Sequence, residues 1–327
     1  MTTFRQVLSD SDKYVIGHVY ALESDTVKRL FEEYQRAYLN MAITLETGFL
    51  QYGGGNTWST EDSMYRERTE YLMVQLMREM QRLGQASQDI SLDAATSAYL
   101  INYTGRAWGM DIASSGAIKM PMLPVEMIRA QISAPYEGNT FVDRFRSDEI
   151  EFQRRIRNSI VQSQIYGEDI LSAQKRLAQE LGINIDRRRA DKAAAQRAFN
   201  RTQMIARTEI IKSSFLGAQA IYSQNADVIE GWTVGLAYDD RTCETCINAN
   251  DNDKVYKLGR GPRIPLHPNC RCAAIVAMRD KDMEQRIVGK PPSYKQWAEN
   301  HNVLQQYGQW LVPMSQQSKG APKRDKQ

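Results

Sequence analysis

From Val27 onward the apolar positions recur in steps of three and four: Val27, Leu30, Phe31, Tyr34, Tyr38, Met41 and Leu45. A single stripe of that period predicts an amphipathic helix turned toward a core. Gly53, Gly54 and Gly55 interrupt it, because consecutive glycines carry a high backbone entropy cost in a helix. The pattern resumes in STEDSMYRERTEYLMVQLMREMQRLG. There Ser59 and Asp62 stand as a capping pair, and Gly84 reads as the stop. Ser91 reads as the N-cap of a further short helix through LDAATSAYLINY. Between Gly105 and Gly138, three prolines and several glycines predict a connector with one short helix after Pro124. A long helix follows, with Phe145, Phe152, Ile156 and Ile160 on one line and five arginines between 144 and 157 on the other faces. After Gly167, Ile170, Leu177 and Leu181 line another helix that Gly182 closes. The last helix carries AAAQRAFNRTQMIARTEIIKSSFLGAQAIYSQN, with Met204, Ile211 and Phe215 inward. These stripes read as core. The methionine-bearing stretch from Tyr71 to Leu83 has an interaction surface as its alternative, and no repeat period is visible.

At Trp232 the period changes. GWTVGLAYDDRTC alternates and then enters a polar turn, which predicts a strand, and AAIVAM at Ala273–Met278 predicts a second. Between them, within Asp239–Cys272, lie all four cysteines of the 327-residue chain. Cys243 and Cys246 have the CxxC spacing of a metal knuckle. Cys270 and Cys272 are two apart, so in extended chain they share a face. His267 stands between Pro265 and Pro268, which stiffen its backbone. Five candidate ligands face a site that takes four. Sulfur with imidazole suits zinc in a tetrahedral structural site. The ligand set is the CxxC pair plus two of His267, Cys270 and Cys272. The alternatives are disulfide pairing or unligated thiols. Redox catalysis is disfavoured, because no thioredoxin-like strand–CxxC–helix pattern surrounds Cys243. The segment is too short and polar to bury a core of its own, and a metal would replace the missing hydrophobic staple.

Composition supports this picture. The chain is 42% hydrophobic and 25% charged, ordinary for a globular protein. A formal charge of +3 is too small to mark the whole chain as a nucleic-acid binder. No apolar run is long enough for a membrane span. The first residues lack an apolar stretch behind a basic end, so no secretory signal is expected. A reducing cytoplasm is then the expected site of synthesis, where clustered cysteines are more often ligands than disulfides. Two basic patches are weak candidates for nucleic-acid contact: Arg187, Arg188 and Arg189, and the tail with Lys323, Arg324 and Lys326. A solvated helix face is the alternative for the first, and the tail is expected to be a disordered basic end.

The motifs ARTEIIKSSFLGA, Trp232, DDRTCETC and HPNCRC, in this order, resemble the phage Mu F-like head morphogenesis family, minor head proteins of tailed phages. The match covers Ala206 to Glu209, Trp232, Asp239, Arg241 to Cys243, Cys246 and His267 to Cys272. SYKQWAENHN around Trp297 is similar to that family's C-terminal helix. The resemblance begins near Gly167 and leaves the N-terminal helices uncovered. The NANDND run departs from the shorter glycine turn of many members. The resemblance implies a virion component of the head and portal region, present in the host cytoplasm during assembly. Its implied partners are the portal protein and other head proteins, in several copies, with packaged DNA as a further contact.

The expected fold is mainly α: an elongated helical body followed by a small zinc-stabilised α+β module with short strands. Its expected segments are helical residues 1–138, a long-helix region 139–228, the Cys/His module 229–280, a C-terminal helix 281–312 and a disordered basic tail 313–327. The expected function is structural, assisting head assembly, DNA packaging or ejection, and not enzymatic. A zinc-dependent nuclease using His267 is one alternative, and a DNA-binding protein of the head interior is another. The nuclease lacks a second metal-binding histidine in AAIVAMRDKDMEQR, and no Gly-rich phosphate loop or Ser/His/Asp set is present.

Overall fold

No proline precedes Pro121, so through the first third of the chain no residue stops a helix by removing a backbone donor. A computed structural model places two long helices there, α1 at Phe4–Tyr52 and α2 at Met64–Ala113. Then come α3 at Val125–Ser133, α4 at Phe141–Ile165, α5 at Ile170–Leu181 and α6 at Arg197–Gln224. Strand β1 at Ile229–Gly235, the short α7 at Glu244–Asn250 and strand β2 at Ala273–Met278 follow. Helices α8 at Tyr294–Asn300 and α9 at Val303–Gln316 end the described chain. The described residues are 3–52, 64–135, 138–181, 197–237, 242–278, 287 and 289–316. The chain is mainly helical, as expected, with a Cys/His cluster between β1 and β2. No helix among the described residues is long and apolar enough to cross a membrane.

The chain forms two compact units that interleave along the sequence. One comprises Met1–Asp25, Ser91–Ile132 and Ala206–Gln327; the other comprises Thr26–Ile90 and Ser133–Ile205. The second unit holds a core of Tyr34, Met41 and Leu45 from α1, Leu72, Leu76, Met80 and Leu83 from α2, Phe152, Ile156 and Ile160 from α4, and Leu177 from α5. The stripes read from the sequence supply this core, and the Tyr71–Leu83 stretch contributes to it. Tyr71 and Val74, on its outer side, are exposed. At the start of α4, the Thr140 hydroxyl accepts from the Asp143 N–H at 3.1 Å while Asp143 accepts from the Thr140 N–H at 3.0 Å, a reciprocal cap.

Three expectations in the N-terminal half are corrected. Gly84 does not end a helix, Ser91 does not start one, and the connector does not begin at Gly105, because α2 runs through all three. The glycines serve close packing instead. A Cβ at Gly84 would stand 2.9 Å from a carboxylate oxygen of Glu149. One at Gly105 would stand 2.4 Å from the Val15 side chain, and one at Gly109 2.5 Å from that of Ser11. Ser91 is fully buried within the helix. The connector starts after Ala113, and α3 follows Pro124 as expected. The cap at Ser59 and Asp62, the breaks at Gly53–Gly55 and the stop at Gly182 lie outside the described residues.

In the first unit α6 lies so close to α2 that a Cβ at Gly217 would meet the Tyr99 carbonyl oxygen at 2.2 Å. Backbone cannot move aside as a flexible side chain can. Gly217→Ala is expected to cost about 1–3 kcal/mol by overpacking, seen as a lower midpoint of thermal unfolding. An unchanged midpoint would show that the two helices are not in this contact.

Strands β1 and β2 pair antiparallel, with Trp232 opposite Val276. The Trp232 side chain is buried between Phe215 of α6 and Tyr256, each 5.4 Å away between ring centres. The Trp232 main chain exchanges both hydrogen bonds with Tyr256, at 2.9 and 2.7 Å. The NANDND run explains itself here. Asp251, Asn252 and Asp253 take three successive positive φ values, 45°, 56° and 60°. Asn and Asp tolerate that region better than other non-glycine residues. Asn250 steadies the turn, accepting from the Asp253 N–H at 3.2 Å and donating to the Val234 carbonyl at 2.7 Å. Near the C-terminus, Ser293 and Gln296 form a capping box for α8. Trp297 is buried and donates from Nε1 to Asp111 at 2.8 Å. Helix α9 continues to Gln316, past the expected tail boundary at 313.

Candidate metal centre

The cluster is assembled from both sides of the strand pair. After β1 the chain reaches Cys243, which precedes the first turn of α7 and places Cys246 one helical turn on, its side chain buried. On the other side, HPNC makes a tight turn in which the Cys270 N–H bonds the His267 carbonyl at 3.1 Å. Asn269 has φ of 60° behind Pro268, the residue pattern of a type II turn. The turn brings His267 back toward the knuckle while Cys270 and Cys272 enter the interior, both buried.

All five predicted ligands converge. Cys243, Cys246 and His267 form one group of donor atoms within metal-binding reach, and Cys246, Cys270 and Cys272 form another. Cys246 belongs to both. The Cys243 and Cys246 sulfurs are 3.5 Å apart, and each lies 3.2 Å from Nε2 of His267. Cys246 and Cys270 are 4.0 Å apart. For a tetrahedral zinc with bonds of about 2.3 Å to sulfur and about 2.0 Å to nitrogen, the edges would be roughly 3.7 Å between sulfurs and roughly 3.5 Å from sulfur to nitrogen. These four separations sit close to those edges, within two overlapping groups that share Cys246. All four cysteines are free thiols, so the disulfide alternative is not what this arrangement realises.

Proton affinities reflect the crowding. The Cys246 backbone N–H holds the Cys243 thiol below its usual range. Burial pushes Cys246 up to about 12. Cys270 is brought down to about 5 by the hydrogen bond from the Cys272 thiol and by the backbone N–H groups of Cys272 and Leu266. Cys272 rises correspondingly, since its proton bridges to Cys270. For His267 burial acts downward, but the hydrogen bond to the Pro268 carbonyl and the neighbouring thiols outweigh it and raise the imidazole. Buried thiols packed this closely cannot all ionise without a compensating cation. A metal ion is such a cation, and the donors fit one.

Nδ1 of His267 lies 2.8 Å from the Pro268 carbonyl oxygen. An N–H there points Nε2, with its lone pair, at the two sulfurs, the outer-shell arrangement that orients metal-bound histidines. Both ring nitrogens are thereby engaged. Two side chains that the sequence reading did not single out also reach this region: Tyr20 at the Arg271 carbonyl and Arg106 at that of Ala274. They lie 251 and 168 positions from their partners, and no local pattern signals such contacts. Arg187, Arg188, Arg189, Lys323, Arg324 and Lys326 lie outside the described residues, as do Asp239 and Arg241.

Comparison of the chain with protein families, with curated proteins and with solved structures gives no match.

Proposed function

We propose that residues 229–280 form a zinc-stabilised structural module, held by Cys243, Cys246, His267 and Cys270. The observation that carries this is the convergence of every cysteine in the chain, with one histidine, on one site. Cys270 is taken as the fourth ligand because its sulfur lies 4.0 Å from that of Cys246, near a tetrahedral edge, and hydrogen bonding from the Cys272 thiol lowers Cys270. The ion would supply a cross-link and neutralise the thiolates. Elemental analysis of the purified chain should find close to one zinc per molecule. Binding must displace protons, since Cys246 in the metal-free form is pushed up to about 12 and His267 is raised. Affinity should therefore increase with pH, about tenfold per unit for each proton displaced, and acid should release the metal. Zinc titrations from pH 6 to pH 8 check this, and a flat profile would contradict the ligand set.

For the chain as a whole we propose a minor head protein of a tailed phage that docks on the portal and other head proteins in several copies. Its role would be in assembly, packaging or ejection, with packaged DNA as an additional contact. What supports this reading is that the ARTE helix, the tryptophan strand, the knuckle and the HPNCRC turn belong to one compact unit. Trp232 packs on Phe215, six residues beyond Glu209. The role is structural and not enzymatic: with both nitrogens engaged, His267 has none left to activate water. Mass spectrometry of purified particles should find the chain in the head fraction and cross-linked to the portal. A chain absent from particles would defeat the proposal. His267→Asn should weaken the module and its incorporation; loss of a DNA-cleaving activity with the fold intact would favour the nuclease instead.

A further inference from the structure

The segment that carries Cys270 and Cys272 into β2 is gripped from outside the module. The Tyr20 hydroxyl, from α1, donates to the Arg271 carbonyl at 3.0 Å. That carbonyl belongs to the residue between the two cysteines. Nη2 of Arg106, from α2, donates to the Ala274 carbonyl at 2.9 Å, and the Tyr222 hydroxyl, from α6, donates to the same oxygen at 3.2 Å. Arg106 is 1% exposed. Its Nε reaches the Asn102 side-chain oxygen at 3.3 Å, and its Nη1 forms an ion pair with Asp12 of α1. All of these residues belong to the same compact unit.

A buried guanidinium is a costly way to fill space between helices. Desolvation is severe, and an apolar side chain of similar volume often serves as well or better. What distinguishes Arg106 is the place its donors reach: one bond ends on a carbonyl two residues after Cys272, while the rest of the group is locked by Asn102 and Asp12. A side chain fixed on two sides holds its third partner to a narrow position. Tyr20 applies a second constraint three residues upstream of the first, and the cysteines lie beside the two points. Ligand atoms converge only if the backbone carrying them keeps its register.

We propose that Arg106 and Tyr20 are positioning residues of the metal centre, holding the Cys270–Ala274 segment so that its thiols face Cys246 before metal arrives. The inference rests on the metal reading of the module. It makes zinc affinity a property of helices remote in sequence, and by linkage it makes metal loading tighten their grip on β2.

The test uses the full chain as wild type, Arg106→Met, Arg106→Lys and Tyr20→Phe. Zinc affinity is measured by competition with a chromophoric chelator, and unfolding midpoints are recorded for zinc-loaded and metal-free forms. Arg106→Met should weaken zinc binding by about 10–100-fold, the usual effect of losing an outer-shell partner. Arg106→Lys should recover part of that loss by keeping a charge beside Asp12. Tyr20→Phe, which removes one neutral hydrogen bond, should weaken binding by about 2–10-fold. The gain in midpoint on adding zinc should shrink in the same order. A residue that merely stabilises the fold would lower both midpoints equally and leave both the gain and the affinity unchanged; that result would overturn the inference. If Arg106→Met fails to fold, Tyr20→Phe decides, and unchanged affinity there refutes it. A wild-type chain that takes up no zinc would remove the metal reading and this inference together. Zinc binding by wild type with indifferent variants would remove the inference alone.

Discussion

Cys246→Ser is expected to leave the chain with almost no bound zinc and to open the segment from Trp232 to Met278. Cys246 is the one donor common to both halves of the cluster, so its loss breaks the knuckle and disconnects it from Cys270. Structural zinc contributes about 10–16 kcal/mol of apparent binding free energy in small finger peptides at neutral pH. In those systems the binding energy is folding energy. Here Trp232 and the strand pair add packing of their own, so the module should loosen rather than unfold completely. Hydrogen exchange should then show lost protection across α7 and the HPNC turn, with α1 and α2 keeping theirs. Cys272→Ser is the matched control. If Cys272 supports and does not ligate, zinc content stays near one per chain and affinity falls modestly. Full metal loss in Cys272→Ser with retention in Cys270→Ser would exchange their roles. Full zinc content in Cys246→Ser would end the metal assignment.

The cluster was legible in the sequence because cysteine is informative where it is scarce. Four thiols and a proline-flanked histidine within Asp239–Cys272 leave few physical explanations. The strands on either side were legible for the same local reason: Trp232 and AAIVAM break the helical period. The amphipathic stripes of α1, α4 and α5 were also readable, since a buried line every third or fourth residue is a property of one segment alone. What failed was the reading of glycine. Gly84 was expected to stop a helix, and Gly105 and Gly109 to fall in a connector, yet each sits inside α2 because another side chain comes close. That reason lies in Glu149, Val15 and Ser11, not in the neighbouring sequence. The Arg106 and Tyr20 contacts were hidden in the same way, and Arg106 in isolation looks like one more surface charge.

Lys212→Met is expected to be among the most destabilising single changes in the first unit. Lys212 and Glu209 lie three apart on α6, and their side chains are 5% and 0% exposed. The ammonium donates to the Glu209 carboxylate at 2.7 Å and to the Ile132 carbonyl of α3 at 3.0 Å. Removing it withdraws from a buried carboxylate an opposite charge 2.7 Å away, and from Ile132 a charged donor. Breaking one side of such a pair costs about 3–5 kcal/mol. At about 2–4 °C per kcal/mol for domains of 150–250 residues, the unfolding midpoint should fall on the order of 10 °C. Replacing both residues, as Glu209→Leu with Lys212→Met, removes both buried charges and should cost less than the single change. A double variant worse than Lys212→Met would show that the carboxylate is held by its other contacts. Glu209 closes the ARTE motif, and this geometry accounts for an acid at that position without chemistry: it fixes the ammonium that ties α6 to the end of α3. Because α6 also presents Phe215 to Trp232, destabilisation there should reach the cysteine module. Lys212→Met should accordingly lower zinc retention under chelator challenge, although Lys212 touches none of the five donors. Undiminished retention at the lowered midpoint would show that the module holds its metal independently of α6.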